Sequence, residues 1–262
     1  MKLLALLMLG VVALSAAAPK VEKVEAIEQL PFEIAAADAS PETRNILINI
    51  LIRQLFTFIR YIINNGSSIF GLPPLDPLNL ENLHIYIPAG LINLDLEMED
   101  VYSSGVGGFV VHRSNLVTRP NLTFDIDISV PSLVIKAGKY NLLGDVLTAL
   151  PLYGNGEADF LVEGFRFQGL LILKQSEDGN SVLIERIENA AFQIPSLKSQ
   201  LTGVIGGGDI DNVVNAIVEE VVLDYINRFS GAIALLASRV IVAVGNPILD
   251  QLDTWRFIAP FV

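Results

Sequence analysis

The sequence predicts an α+β fold: a long N-terminal helix, several long antiparallel strands, and a second long helix near the C-terminus. Three observations carry this. Polar residues between 45 and 64 recur every three or four positions, the period of a helix. Apolar and polar residues then alternate over several runs, the period of a strand, and the helical period returns after Gly206-Gly207-Gly208. Both helices are apolar on more than one side, so a highly curved antiparallel sheet is expected to wrap the first.

The chain begins with a segment that reads as a secretory signal. Lys2 supplies the positive end, Leu3 to Leu14 the apolar run, and Ser15-Ala16-Ala17 the small residues of a cleavage site. The run is too short to cross a bilayer of about 30 Å. Cutting after Ala17 avoids a Pro19 at the first mature position and leaves 245 of 262 residues. It also removes Lys2, which moves the formal net charge from −12 to −13. The expected organisation is a signal peptide over 1–17, a weakly patterned leader over 18–40, and one domain over 41–262.

A helix start follows, with Ser40 as N-cap, Pro41 in the first helical position and Glu42 in the first turn. The polar stripe of Asn45, Asn49, Arg53, Thr57, Arg60 and Asn64 runs to about Asn64, where Asn65-Gly66 closes the helix. Opposite lie Leu47, Leu51, Leu55, Phe58 and Ile62, with Ile48 and Ile59 beside them. The proline-rich corner 71–78 then permits neither helix nor central strand.

Beyond it Ile92, Leu94, Leu96 and Met98 alternate with Asn93, Asp95, Glu97 and Glu99; Phe124, Ile126, Ile128 and Val130 alternate with Asp125, Asp127 and Ser129. Phe165 and Phe167 extend the pattern, and 182–194 completes it. Turn signals at 105–108, 119–121, 154–156 and 177–180 are expected to separate these strands. Asp209 is the expected cap of the last helix. Its stripe holds Val213, Val214, Ile217, Val218, Val221, Val222, Tyr225, Ile226 and Phe229; Ser230-Gly231 marks a kink, and the helix continues to 245–247.

Composition narrows the function classes. An acidic protein does not seek nucleic acid or anionic lipid, which attract Lys/Arg patches. Apolar residues make up 52% of the chain, yet the longest apolar segments, 46–63 and 231–245, are broken by arginines, so no integral membrane span is expected. The surplus points instead to burial in protein or around a ligand. No cysteine is present, which excludes thiol catalysis and thiolate metal sites. The sequons at Asn65 and Asn121 are candidate glycan acceptors.

Two stretches resemble the juvenile-hormone-binding/takeout family of insect haemolymph. One is Gly71-Leu72-Pro73-Pro74-Leu75-Asp76-Pro77-Leu78 after the amphipathic helix; the other is Lys139-Tyr140-Asn141-Leu142-Leu143-Gly144 followed by 150–158. The resemblance covers nearly the whole mature chain in order and length. The chain departs from that family in lacking an N-terminal cysteine pair and an asparagine-rich segment before the last helix. It is also similar to the mite group 7 allergen-like proteins, cysteine-poor relatives in the same superfamily of tubular lipid-binding proteins. Both resemblances imply a long helix in a curved sheet with an apolar tunnel between them.

Catalytic chemistry finds no footing in the sequence. His84 and His112 stand apart, without matched metal-ligand spacing, and read as structural. No Gly-x-Ser-x-Gly elbow occurs, which disfavours a lipid-ester hydrolase. The same-face pairs Glu97/Glu99 and Asp125/Asp127 read as the solvated side of the sheet. Neither a cofactor nor a metal is expected.

The expectation is a secreted carrier of a hydrophobic small molecule: a terpenoid, a fatty acid or another lipid. Its ligand is expected to meet Leu51, Leu55, Phe58 and Ile62 of the first helix and Phe124, Ile126, Phe165, Phe167 and Phe192 of the sheet. Val221, Tyr225 and Phe229 of the last helix complete the set, with the Tyr225 hydroxyl orienting a polar end. The alternative is a secreted interaction or immune protein of the same fold with a filled core. The sequence names no receptor or transfer partner.

Overall fold

A computed structural model describes residues 41–68, 73–88, 92–146, 150–259 and 262. The expected signal, leader and Ser40 cap lie outside them, as do Gly71 and Leu72 of the corner.

Helix α1 spans Pro41–Asn65. It ends where the sequence puts the stop: Gly66, at φ 71°, donates its N–H to the Ile62 carbonyl at 2.7 Å, a left-handed closure that glycine adopts without strain. Seven strands follow: β1 (Leu78–Pro88), β2 (Ile92–Ser104), β3 (Val110–Val117), β4 (Thr123–Val146), β5 (Leu150–Gln175), β6 (Val182–Gln193) and β7 (Ser196–Leu201). All pair antiparallel in one sheet of order β1-β2-β4-β5-β6, with β3 on β4 and β7 on β5.

Strands β4 and β5 have 24 and 26 residues, and each changes partner midway. β4 leaves β3 after Ser129 and takes β2 from Val134; β5 leaves β7 after Glu163 and takes β6 from Arg166. Pro131, which has no N–H to give a ladder, sits at the first change. Gly164 sits at the second, at φ 70°, where a β-carbon would lie 3.2 Å from the Pro195 ring. At about 3.3 Å per residue such strands make the sheet long rather than broad.

The segment 154–156, which reads as a turn, lies inside β5. Its glycines serve a close approach instead. A β-carbon on Gly156 would lie 2.3 Å from the Thr202 carbonyl oxygen, and one on Gly154 would lie 2.9 Å from Gly203 and Val204.

The C-terminal helical run is segmented: α2 (Asp209–Ile217), a π-helical stretch (Val218–Val222), α3 (Leu223–Arg228), α4 (Ser230–Leu249) and a short α5 (Trp255–Ile258). The break at Phe229 falls where Ser230-Gly231 predicted a kink. Asp209 does not cap α2; the N-cap is Gly208, and Asp211 in the first turn accepts from the Gly203 and Val204 N–H groups at 3.1 and 3.0 Å. By length and composition alone, Ser230–Pro247 is long and apolar enough to cross a membrane. In this fold it lies along β6.

Apolar burial falls into three clusters. Ile48 and Ile52 of α1 pack with Leu116 and Phe124. The central cluster joins Val130, Leu133, Val162, Phe192 and Ile194 of the sheet region to Ile226, Ile233 and Ala234 of α3 and α4. The third, around Leu83, Met98, Tyr140 and Val204, is closed by Val214 of α2.

Candidate functional site

The elements predicted to enclose a ligand meet at the central cluster. From the sheet come Phe165 and Phe192, stacked at 6.0 Å between ring centroids, with Phe167 beside them. From α1 come Phe56, Ile59 and Ile63, with the Phe56 ring 6.1 Å from Phe109 and 6.2 Å from Phe124. The C-terminal helices add Ile226 and Ile233. No ionised group is among these residues, so the region offers desolvation and aromatic contact.

The sequence-predicted residues divide. Phe165, Phe167 and Phe192 stand in this cluster, Phe192 only 5% exposed. Leu51 and Phe124 pack half-buried around Ile48 and Ile52, and Ile126 and Ile62 are half-buried. Leu55 (39% exposed), Phe58 (41%) and Phe229 (44%) lie open. The side chains of Val221 and Tyr225 lie outside the described ones.

Helix α1 explains the division. Its covered side is Ile48, Ile52, Phe56, Ile59 and Ile63, at helical spacings of four, four, three and four. Leu51, Leu55, Phe58 and Ile62 form the adjoining apolar side, turned about 90° away at about 100° per residue. Sequence reasoning fixed on that side and missed Phe56 and Ile63, which were legible only as a second stripe of equal quality. The polar stripe is used at its end: Arg60 donates to the carbonyls of Gly107 and Phe109 at 3.2 and 2.7 Å and rests 4.6 Å from the Phe109 ring centroid. Asp76 accepts from the N–H groups of Gly105 and Gly107, pinning the same turn.

The residues that hold the C-terminal helices in place are three asparagines that no sequence motif singles out. Asn215 donates to the Leu201 carbonyl (3.0 Å) and accepts from its N–H (2.8 Å). Asn227 does the same with Ile194 (2.7 and 2.9 Å), and Asn246 with Ile184 (2.8 and 2.9 Å). Asn215 and Asn246 thus stand in for a neighbouring strand, and Asn227 ties down the connection between β6 and β7. Glu219 adds a fourth tie by accepting from the Ser199 N–H at 2.8 Å; that bond, with the Lys198 charge, lowers its pKa.

Several polar groups elsewhere are paired. Tyr140 donates to the Thr202 carbonyl at 2.6 Å; burial, with the Asp211 charge beside it, pushes its hydroxyl pKa up to about 12. His84 lies 2.6 Å from Asp95, and His112 lies 2.8 Å from the Ser129 hydroxyl, both on exposed strand faces. Glu97 and Glu99 are solvated as expected, with Lys139 3.3 Å from Glu99. Asp127 is a correction: it is only 3% exposed. The Arg166 side chain covers it and donates from Nε and Nη2 at 2.7 and 2.6 Å. Among the described residues no group of three or more His, Asp and Glu is placed to hold a metal ion.

A family model described as haemolymph juvenile hormone binding protein matches residues 23–259. The chain belongs to that family. The family match decides between the two relationships the sequence left open. Among solved structures, Takeout 1 of Epiphyas postvittana is similar in fold, with a TM-score of 0.55 at 14% identity over 76% of this chain and 92% of that one. A lipopolysaccharide binding protein aligns with a TM-score of 0.36 at 12% identity, over 76% of this chain and 39% of that one. A comparison with curated proteins gives no match.

Proposed function

We propose that this family member is a secreted carrier that takes a terpenoid, fatty acid or other lipid into its apolar interior. The observation that carries the reading is the convergence of α1, the inner sheet face and the C-terminal helices on one apolar, aromatic cluster. The apolar side of α1 at Leu55 and Phe58 is left exposed beside it. Membership of the haemolymph juvenile hormone binding protein family supports a hormone-like ligand, and the signal-like first 17 residues support secretion.

The mechanism is exchange of water for side chains. Burying about 400 Å² of ligand at about 25 cal/mol per Å² yields about 10 kcal/mol gross. Lost translation and rotation take back several kcal/mol, leaving micromolar to nanomolar affinity. The alternative of a filled core draws on the ring contacts within the cluster and on the fully buried Leu133, Val162 and Ile194.

Native mass spectrometry before and after organic extraction separates the two. A small-molecule adduct lost on extraction, and an apolar fluorescent probe whose response changes in Phe58→Trp, are the results expected of a carrier. A bare mass throughout and no probe uptake would leave the filled core.

A further inference from the structure

The outer face of the sheet carries a polar groove that shares only Phe192 with the apolar interior. It crosses the long strands toward the junction of α3 and α4. Its larger part, about 380 Å³, is lined by Arg166, Gln168 and Gln193, with Asn227 and Ser230 from the helices. Past Gln168 it continues as a second hollow of about 260 Å³ between Arg113, Asp125 and Asn189. The first volume lies within the range of small-molecule sites, about 300–1,000 Å³. A bulge shapes the surface there: the β5–β6 register shifts between Gln168 and Leu170, and Asn189 opposite takes φ 51°.

The charges of the groove cancel in pairs. Asp127 beneath Arg166 takes its Nε and Nη2 hydrogens, and Arg113 Nε lies 2.8 Å from Asp125. The floor is therefore neutral and held in place. The amides are not used up in the same way. Among the described residues the side chains of Gln168, Asn189 and Gln193 make no hydrogen bond, unlike the asparagines that clamp the helices. Each such amide offers donors and an acceptor, and the Arg166 Nη1 hydrogens remain beyond those Asp127 takes.

That array selects a chemical class. An anion meets guanidinium charges already neutralised, and an apolar ligand would strand the amides without partners. A peptide wants apolar anchor pockets, and the groove offers little beyond Ala191, Leu170 and the sliver of Phe192 that reaches it, a residue only 5% exposed. Adjacent hydroxyls, each able to donate and accept, match the planar amides and the arginine edge. We propose that this outer groove binds a neutral saccharide through the amides of Gln168, Asn189 and Gln193 and the outward edge of Arg166.

The test titrates the purified full-length protein with neutral methyl glycosides and disaccharides, by saturation-transfer NMR and calorimetry. The expected result is saturable binding that weakens about tenfold in Gln168→Ala/Gln193→Ala, with an unchanged melting curve. Should that double variant melt early, Gln193→Glu alone is expected to weaken binding as well. Uptake of an apolar probe should be unchanged in these variants, which keeps this proposal separable from the carrier reading. No binding of any neutral sugar, equal binding by all variants, or binding confined to sulfated or carboxylated sugars or to peptides would overturn it.

Discussion

Asp127 and Arg166 form a two-point pair in which one member is buried and the other half in water. The Arg166 hydrogen bonds are the largest reason that the Asp127 carboxyl titrates below its ordinary value. An unfolded aspartate titrates near about 3.9. A lowered folded pKa means that folding favours the ionised form. The stabilisation is therefore complete above the unfolded value and is lost as pH falls through the folded one. With solvent screening on the exposed guanidinium side, Asp127→Asn should cost about 1–2 kcal/mol at neutral pH. Thermal melts at pH 7 and pH 3 check this: the gap between wild type and variant should narrow at the lower pH, and an equal gap would contradict the coupling. The two sequons should also differ. Asn65 donates its side-chain amide to the Tyr61 carbonyl at 3.0 Å, a bond that a glycan on the same nitrogen disturbs, whereas Asn121 is exposed on a turn. Mass shifts after enzymatic deglycosylation are expected to map to Asn121, and Asn121→Gln should abolish most of the shift.

Among the elements, the C-terminal helices are tied to the sheet by the apolar contacts of Ile226, Ile233 and Ala234 and by three amides, each on the backbone of a single residue. Removing one of these amides, as in Asn215→Ala, Asn227→Ala or Asn246→Ala, leaves a backbone N–H and a carbonyl without partners at once. The cost should be about 1–3 kcal/mol each. Hydrogen exchange should localise it, with faster exchange at the amide of Leu201, Ile194 or Ile184 respectively. Uniform acceleration along α4 would mean that the clamp is incidental. Asn246→Asp is a sharper version, because its carboxylate still accepts from the Ile184 N–H but faces the Ile184 carbonyl without a donor. These clamps were invisible in the sequence because an asparagine on a helix reads as one more solvated polar residue; only the position of an unpaired strand edge gives it meaning. Helix α1 was fully legible as a helix, from stripe to closing glycine, but its docking side was not. The rows through Ile52 and through Leu55 satisfy the same period, and choosing between them needs the strands they face. Alternation exposed β2, β4 and β6. The weaker signals belonged to β1, whose pairing with β2 is interrupted opposite Asp100 at φ 53°, and to the half-polar β3. Glycine spacing misled at 154–156 because it marks a crossing backbone as readily as a turn.

For the whole molecule, a long sheet with apolar clusters strung along it makes a ligand's position readable by where it stabilises. A ligand bound only by the folded chain adds about 2.7 kcal/mol at a hundred times its dissociation constant. For a chain of this size that is a rise of about 5–10 °C in melting temperature. Organic extraction of a loaded carrier should lower the melting temperature by a comparable amount, and adding back an apolar probe should restore it. The gain should be local. If the ligand lies among Phe165, Phe192 and the C-terminal helices, protection from hydrogen exchange should grow at Val162, Phe192 and Ile194, which share that cluster. It should stay nearly constant at Leu83, Met98 and Val204, which belong to the cluster closed by α2. Protection confined to the second group would move the ligand to the α2 end of the sheet, and a melting temperature indifferent to extraction and reloading would remove it from the interior altogether. Phe192→Ala sets the scale: deleting that ring should cost the empty protein about 3–5 kcal/mol. A loaded protein in which the ligand fills part of the vacated space should lose less, so the size of the difference reports how closely ligand and ring share the interior.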